Sequence, residues 1–147
     1  MRMSLLTPLA AISVFAAFAA GGGCASTTTQ KSTIEGTTAQ PAAIAHISYQ
    51  RDQNNNTAVD LRVDHLSAPQ KLDPTLTTYV VWVAPMFGGN YEPRGALQVG
   101  ADRSGEIKFI TPLDRFKVVV TAEASPMVAQ PRGKIVMQGT VDASLPK

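Results

Sequence analysis

Two histidines, His46 and His65, are the only imidazole groups in the 147-residue chain, so they are the first candidates for acid–base chemistry. The run Asp64-His65-Leu66-Ser67 contains the three residue types of a hydrolytic triad. Neighbouring residues of one strand point to opposite faces, so this run cannot converge on one substrate atom. No Gly-Xaa-Ser-Xaa-Gly sequence is present to hold a serine nucleophile. The sequence therefore predicts no catalytic residue and no enzyme, and a hydrolase is kept as a remote alternative.

Metal ligands are equally sparse. The run 52–56, Asp-Gln-Asn-Asn-Asn, is similar to the start of a calcium loop, but Thr57 replaces the glycine needed at the sixth position and Val63 the glutamate needed at the twelfth. Because Asn and Asp tolerate left-handed backbone conformations, this run predicts a turn instead. Gly88-Gly89 also predicts a turn, since no helix follows it to bind a phosphate. We predict no metal site and no cofactor.

Composition excludes several further classes of protein. Thirteen Lys and Arg against eleven Asp and Glu give a net charge of +2, with the charges scattered along the chain. A nucleic-acid-binding protein would show a clustered basic surface instead. One cysteine cannot form an internal disulfide, so the chain is not a disulfide-stabilised mini-domain. Its length suits one domain with attachments.

Residues 1–23 have the layout of a secretory signal peptide. Arg2 precedes an apolar run of about 16 residues that Pro8 interrupts, and a membrane span needs about 20. The following Gly21-Gly22-Gly23-Cys24 resembles the lipobox of bacterial lipoprotein precursors, although Gly21 stands where Leu, Val or Ile is usual. The resemblance implies cleavage before Cys24 and attachment of lipid, palmitate included, at that residue. The alternative is cleavage after Ala19, which leaves a free thiol in an oxidising compartment.

The residues from Cys24 onward predict a location in the cell envelope and a flexible tether. Ala25 implies sorting of such a lipoprotein to the outer membrane, with the domain facing the periplasm. Residues 24–41 contain one large apolar residue, Ile34, and cannot bury enough surface to offset the entropy of ordering them. We therefore predict a disordered tether over 24–41 and a folded domain over 42–147. The alternative, a strand that caps the domain, is disfavoured because Gly36 and Pro41 flank too little apolar material.

From residue 42 onward, apolar and polar residues alternate with period two, the pattern of half-buried strands. Seven short strands are predicted, near residues 43–49, 59–64, 79–84, 96–99, 106–109, 116–123 and 135–141. Turn signals separate them and no helical pattern intervenes, which is typical of a β-sandwich. We predict an all-β, seven-stranded, immunoglobulin-like antiparallel sandwich. Its inter-sheet core is expected to contain Trp82 with Val81, Val83, Leu61, Val63, Val118 and Val120.

Four segments in a fixed order extend this interpretation. They are 79–83 (Tyr-Val-Val-Trp-Val), 94–97 (Arg-Gly-Ala-Leu), 116–123 (Phe-Lys-Val-Val-Val-Thr-Ala-Glu) and 131–139 (Pro-Arg-Gly-Lys-Ile-Val-Met-Gln-Gly). Together they resemble the extracytoplasmic domain of anti-sigma-K-type factors. The resemblance implies a β-sandwich that senses or docks outside the cytoplasm. We expect only this outer module, without the cytoplasmic zinc-binding segment or the spanning helix of that family.

One loop is the best candidate for binding. Met86, Phe87 and Tyr91 lie between Pro85 and Pro93, and aromatic side chains are enriched where interfaces concentrate their energy. We predict a partner-binding loop at Phe87 and Tyr91, with strand addition at a sheet edge, or packing of the loop on its own domain, as alternatives.

The expected function combines these predictions. We expect a non-catalytic envelope protein, bound to the membrane through lipid at Cys24, that acts as a periplasm-facing binding or structural module for an unknown envelope protein. We expect no nucleic-acid partner and no small-molecule substrate. The alternative is an accessory subunit of a larger envelope transport or secretion complex.

Overall fold

The computed structural model describes residues 28–144, which form two four-stranded antiparallel sheets. Sheet 1 has the strand order β1-β2-β3-β6 and sheet 2 the order β5-β4-β7-β8. A single-turn 3-10 helix lies at Pro69–Lys71, and no helix in the described range is long and apolar enough to cross a membrane. The all-β prediction is therefore confirmed. The strands are β1 (Gln30–Glu35), β2 (Ile44–Arg51), β3 (Thr57–Asp64), β4 (Thr78–Pro85), β5 (Glu92–Leu97), β6 (Gly105–Thr111), β7 (Arg115–Glu123) and β8 (Lys134–Asp142).

The core between the sheets follows from the alternation along each strand. Inward residues of β3 (Val59, Leu61, Val63) meet inward residues of β4 and β7, and polar residues point outward. Short bridges also join the sheets at both sides, Gly36 to Met137 and Val99 to Gly105. The core residues include Ile34, Ala45, Ile47, Tyr49, Leu66, Tyr79, Val81, Val83, Leu97, Phe109, Phe116, Val118, Val120, Val136, Met137 and Val141.

The first strand corrects the tether prediction. β1 pairs with β2 over its whole length, from Gln30 opposite Tyr49 to Glu35 opposite Ile44. Its one buried side chain, Ile34, lies against Gly139 of β8, where an added Cβ would come within 2.4 Å of the isoleucine. Backbone pairing and one apolar contact therefore order a segment whose composition predicted disorder. The described sandwich accordingly has eight strands rather than seven.

A second correction concerns Trp82. The side chain is fully buried, but it lies on the outer face of sheet 2 with Val80 and Val119. Alternation requires this, because Val81 and Val83 face sheet 1 and Trp82 stands between them. The other six residues predicted for the inter-sheet core do lie there.

The strand predicted over 96–99 also shifts. β5 spans Glu92–Leu97, and Val99 forms only an isolated bridge to Gly105. Pro93 fits within β5 because the strand is at an edge of sheet 2 and its pairing with β4 is irregular between Val81 and Trp82.

The two ends of the sandwich carry different loops. One end, here called the Gln30 end, holds the start of β1, the β2–β3 turn (52–56), the β4–β5 loop (86–91) and the β6–β7 connection (112–114). The opposite end, here called the far end, holds the β1–β2, β3–β4, β5–β6 and β7–β8 connections.

Contacts between the two sheets show which loops lie together at the Gln30 end. Arg51, at the end of β2, lies 3.8 Å from Asp114, which precedes β7. Thr57, at the start of β3, donates its hydroxyl to the Leu113 carbonyl at 2.7 Å. Pro85 at the end of β4 pairs with Phe116, so the loop that follows β4 belongs to this end as well.

Candidate functional site

Phe87 is at the tip of the β4–β5 loop and is 85% exposed. The predicted glycine turn is confirmed, since Gly88 and Gly89 adopt φ values of 105° and 116° that other residues rarely take. The guanidinium carbon of Arg115 lies 5.6 Å from the centre of the Phe87 ring, within cation–π range. Phe87 therefore presents an aromatic ring to solvent at the Gln30 end, supported on one side by a cation.

Tyr91, from the same loop, faces a different surface. It is 37% exposed and borders an open groove on the outer face of sheet 2, here called the Tyr91 groove. The groove has a volume of about 390 Å³ and is lined by Tyr91, Lys117, Val119, Gln138, Gly139 and Thr140. Val119 is buried and gives the groove an apolar floor. The structure thus separates the two residues predicted to act together, with Phe87 at an end of the sandwich and Tyr91 on a sheet face.

Next to this groove, hydrogen bonds join three side chains in what we call the Trp82–Thr121–Glu123 network. The Trp82 indole N–H donates to the Thr121 hydroxyl oxygen at 2.8 Å, and that hydroxyl donates to Glu123 Oε1 at 2.6 Å. The Glu123 carboxylate, 2% exposed, also accepts the backbone N–H groups of Arg132 at 3.0 Å and Gly133 at 2.9 Å. Every buried polar group of the network therefore has a partner.

The network holds the β7–β8 loop (124–133) against the outer face of sheet 2. Val128 of that loop packs on the Trp82 cluster. Gly133 is required for the close approach, because an added Cβ would come within 1.7 Å of the Ala122 carbonyl oxygen. Sequence reasoning missed this arrangement. The available signal was Thr-Xaa-Glu on the outward face of a strand, followed by Pro-Xaa-Gly, within the segments 116–123 and 131–139.

The two histidines make different contacts. His46 Nε2 is 4.0 Å from Asp64 Oδ2 on the open face of sheet 1. His65 has φ of 60°, and its carbonyl accepts a hydrogen bond from Arg103 at 2.8 Å. Asp64 is therefore directed to His46, not to its chain neighbour His65. Within residues 28–144, no group of three or more His, Cys, Asp and Glu side chains is placed to hold a metal ion.

The predicted turn at 52–56 is also confirmed. Asp52 Oδ1 accepts the backbone N–H groups of Asn54 at 2.8 Å and Asn56 at 2.9 Å, and Asn55 has φ of 65°. The carboxylate thus caps the backbone of its own turn, which accounts for its position without any bound cation.

Four charged side chains cover the centre of the outer face of sheet 1, and we call them the charge network. Arg62 Nε lies 3.5 Å from Asp60 and 3.4 Å from Glu106, and Lys108 Nζ lies 3.4 Å from Asp60 and 2.9 Å from Glu106. The hydrogen bond from Lys108 to Glu106 is the largest cause of a raised Lys108 pKa, followed by the charge of Asp60. The two cations and two carboxylates balance each other in charge, so this face has little net charge to offer a partner.

Cys24 and the lipobox-like sequence lie outside the described residues. Comparison of the chain with known protein families and with curated proteins gives no match.

Proposed function

We propose that this protein is a non-catalytic, lipid-anchored β-sandwich of the bacterial cell envelope, attached through Cys24 to the outer membrane and facing the periplasm. The observation that carries the proposal is the lipobox-like run Gly21-Gly22-Gly23-Cys24 after a signal-like segment, and β1 begins at Gln30, six residues after that cysteine. A chain processed before Cys24 would consist almost entirely of folded domain, with its acyl chains joined close to one end of the sandwich. That plan suits a module that binds or supports other components at a membrane surface.

Lipid attachment is tested by Cys24→Ser in cells of the source bacterium. Wild-type protein should sediment with outer membranes, and its N-terminal peptide should carry the mass of an acylated cysteine. Cys24→Ser should appear in the soluble periplasm, whereas Ser26→Ala, which keeps the cysteine, should stay with the membrane. A mature chain that begins at Ala20 with a free thiol would contradict the proposal.

We also propose that the sandwich is immunoglobulin-like. In that description β2, β3 and β6 take the places of strands A, B and E, and β4, β7 and β8 the places of C, F and G. β5 then adds beside C, as an extra strand does in variable-type domains. β1 is an addition beside strand A, and the described residues contain no strand D. We propose kinship with the extracytoplasmic domain of anti-sigma-K-type factors on the four ordered segments that resemble it; Trp82, Thr121, Glu123 and Gly133 lie within three of these segments.

The Tyr91 groove is the surface that we propose for an envelope protein partner. It combines an aromatic wall, an apolar floor at Val119 and the cation of Lys117. An extended segment with an apolar side chain next to a carboxylate matches that chemistry. The centre of sheet 1 is less suitable, because its cations are already paired with carboxylates.

Partner binding is tested by crosslinking in native envelopes with Tyr91→Ala and a matched variant, Ile110→Ala. Ile110 is also exposed, at 59%, but lies on the outer face of sheet 1. Tyr91→Ala should abolish a specific crosslinked species without lowering the melting temperature, and Ile110→Ala should retain that species. Unchanged crosslinks in Tyr91→Ala, or a loss explained by unfolding, would contradict the groove as a binding surface.

A further inference from the structure

We propose that the Gln30 end of the sandwich rests on the bilayer that holds the lipid anchor, with Phe87 as the side chain that enters the membrane interface. The inference depends on the proposed lipidation of Cys24 and goes beyond it by naming the surface of the domain that faces the membrane. Three observations carry it: the short distance along the chain from Cys24 to β1, the end at which β1 begins, and the exposure of Phe87 at that end.

The number of residues sets the first limit. Six peptide units join Cys24 to Gln30, and at about 3.5 Å per residue they span at most about 21 Å in any conformation. A domain that began only at residue 42 would have been allowed about 63 Å by the same rule. Because β1 extends the fold toward the cysteine, Gln30 must stay within about one short linker of the lipid headgroups.

The strand order sets the second limit. β1 is opposite β8 across the sandwich, which the Gly36–Met137 bridge shows, so β4 lies two strands further along sheet 2. Strands are about 4.8 Å apart and packed sheets about 10 Å apart, which puts the end of β4 about 14 Å from the start of β1. The β4–β5 loop that follows Pro85 therefore reaches the same small area of membrane as the linker.

The chemistry of this end suits a membrane interface. Phe87 is 85% exposed and has no apolar side chain covering it, and Arg115 lies beside its ring. A ring of this kind gains free energy by entering the boundary between headgroups and acyl chains, where an arginine can remain at the depth of the phosphates. This end carries both positively and negatively charged side chains, namely Arg51, Asp52, Asp114, Arg115 and Asp142. We therefore expect contact with the bilayer to depend on Phe87 and to change little with salt concentration.

The far end provides a matched control. Met127 of the β7–β8 loop is apolar and 92% exposed, and Pro126, the residue before it, lines a cavity at the far end together with Thr78 of β4. β4 separates the two ends by eight residues, or about 26 Å at 3.3 Å per residue. A domain that tumbles freely on its linker would present both side chains to the bilayer, whereas a domain that rests on its Gln30 end would present only Phe87.

The experiment uses the full-length lipidated protein in phosphatidylethanolamine–phosphatidylglycerol vesicles that contain brominated acyl chains, which quench nearby tryptophans. Wild type, Phe87→Trp and Met127→Trp are compared, with buried Trp82 as the common background. We expect the emission added by Phe87→Trp to be quenched and that added by Met127→Trp to be unaffected. Insertion of about 20 Gly and Ser residues after Ala25, which adds a root-mean-square reach of about 25 Å, should remove most of the quenching of Phe87→Trp.

Each other outcome has a distinct meaning. Equal quenching at both positions, or none at either in protein that floats with the vesicles, would overturn the proposed orientation while leaving the lipid anchor intact. Chain that does not float and has a free Cys24 thiol would overturn the anchor, and the orientation with it. Absence of quenching at position 87, together with crosslinks from that position to a protein in native envelopes, would show that this end binds protein and not lipid.

Discussion

The outer faces of the two sheets share an antiparallel backbone pattern but differ in the chemistry of their side chains. On sheet 1, four outward side chains at the centre of β3 and β6 are charged and form the charge network, open to solvent. On sheet 2, the outward residues Val80, Trp82 and Val119 are apolar and buried, because the β7–β8 loop lies over them. Sheet 2 is therefore covered on its inner face and over part of its outer face, whereas sheet 1 is covered on its inner face alone.

The difference shows how a small sandwich extends its core beyond the space between its sheets. Covering an apolar face with a loop also buries polar backbone groups, which then need partners. Glu123 accepts two of these backbone N–H groups, and Thr121 connects the carboxylate to the Trp82 indole. The Tyr91 groove is the part of this face that the loop leaves uncovered, which is why it joins an apolar floor to an exposed rim.

The largest expected effect comes from Trp82→Ala. Truncating a buried tryptophan typically costs about 3–5 kcal/mol of unfolding free energy, and here the β7–β8 loop should also loosen. Ile110→Ala, an apolar truncation on the open face of sheet 1, should cost less than about 0.5 kcal/mol. Urea denaturation followed by circular dichroism measures both. If the two variants were equally stable, the loop would not cover the sheet as described.

Glu123→Gln should give the second largest effect. Both carboxylate oxygens accept backbone N–H groups, so a glutamine would turn an NH₂ group toward at least one donor. A buried unsatisfied donor costs about 1–3 kcal/mol. Glu106→Gln makes the same chemical change within the exposed charge network and should cost less than about 1 kcal/mol. Hydrogen exchange of the Gly133 amide should accelerate in Glu123→Gln only; equal exchange in both variants would contradict the network.

Tyr79, in the core between the two sheets, leads to a prediction about how the unfolding free energy depends on pH. Tyr79 donates its hydroxyl to the Ser67 carbonyl at 2.6 Å and faces the core, and burial raises its pKa from 10.0 to about 12. The native state holds this proton more tightly than the unfolded state, so the stabilisation is complete below pH 10 and is lost as pH rises toward 12. Unfolding free energy should therefore fall over that interval, and the fall should be smaller in Tyr79→Phe.

A matched variant checks the assignment to Tyr79. Burial, and then the charge of Asp142, raises the pKa of Tyr49 too, so Tyr49→Phe should also reduce the alkaline loss of stability. We expect the larger reduction from Tyr79→Phe, because only the Tyr79 pKa is raised as far as about 12. If neither variant changed the fall of unfolding free energy at alkaline pH, other titrating groups would be responsible for that fall.

Period-two alternation, together with the apolar run over 79–84, indicated seven of the eight strands, although β5 overlaps its predicted range only at Ala96 and Leu97. β1 could not be predicted in this way, since Ile34 is its one buried side chain and the space for it is made by Gly139, more than a hundred residues away in the chain. Complementarity of that kind appears only when the fold has brought the two residues together. The same holds for the bounds of β5, where a bulge accommodates Pro93.

The candidate site, like the fold, could be predicted from the sequence only in part. The sequence indicated an exposed aromatic loop, and Phe87 and Tyr91 are indeed exposed. It could not show that they face different surfaces, because that depends on where the β4–β5 loop lies relative to Arg115 and Lys117. Trp82 was misplaced for a related reason: a strand that is apolar on both faces gives no sign of which face meets the other sheet.

The smallest expected effect is on the open face of sheet 1. Arg62 is 61% exposed, and its contacts with Asp60 and Glu106 are 3.5 and 3.4 Å long. Exposed ion pairs of this kind contribute about 0.2–1 kcal/mol, so Arg62→Gln should lower the unfolding free energy by less than about 1 kcal/mol. The difference from wild type should vanish near 1 M salt, where the Debye length is about 3 Å. The cost of Glu123→Gln should persist there, because the Glu123 side chain is 2% exposed and salt screens buried groups much less than exposed ones. An Arg62→Gln cost that is as large as that of Glu123→Gln, or insensitive to salt, would mean that the charge network holds sheet 1 together as the loop holds sheet 2.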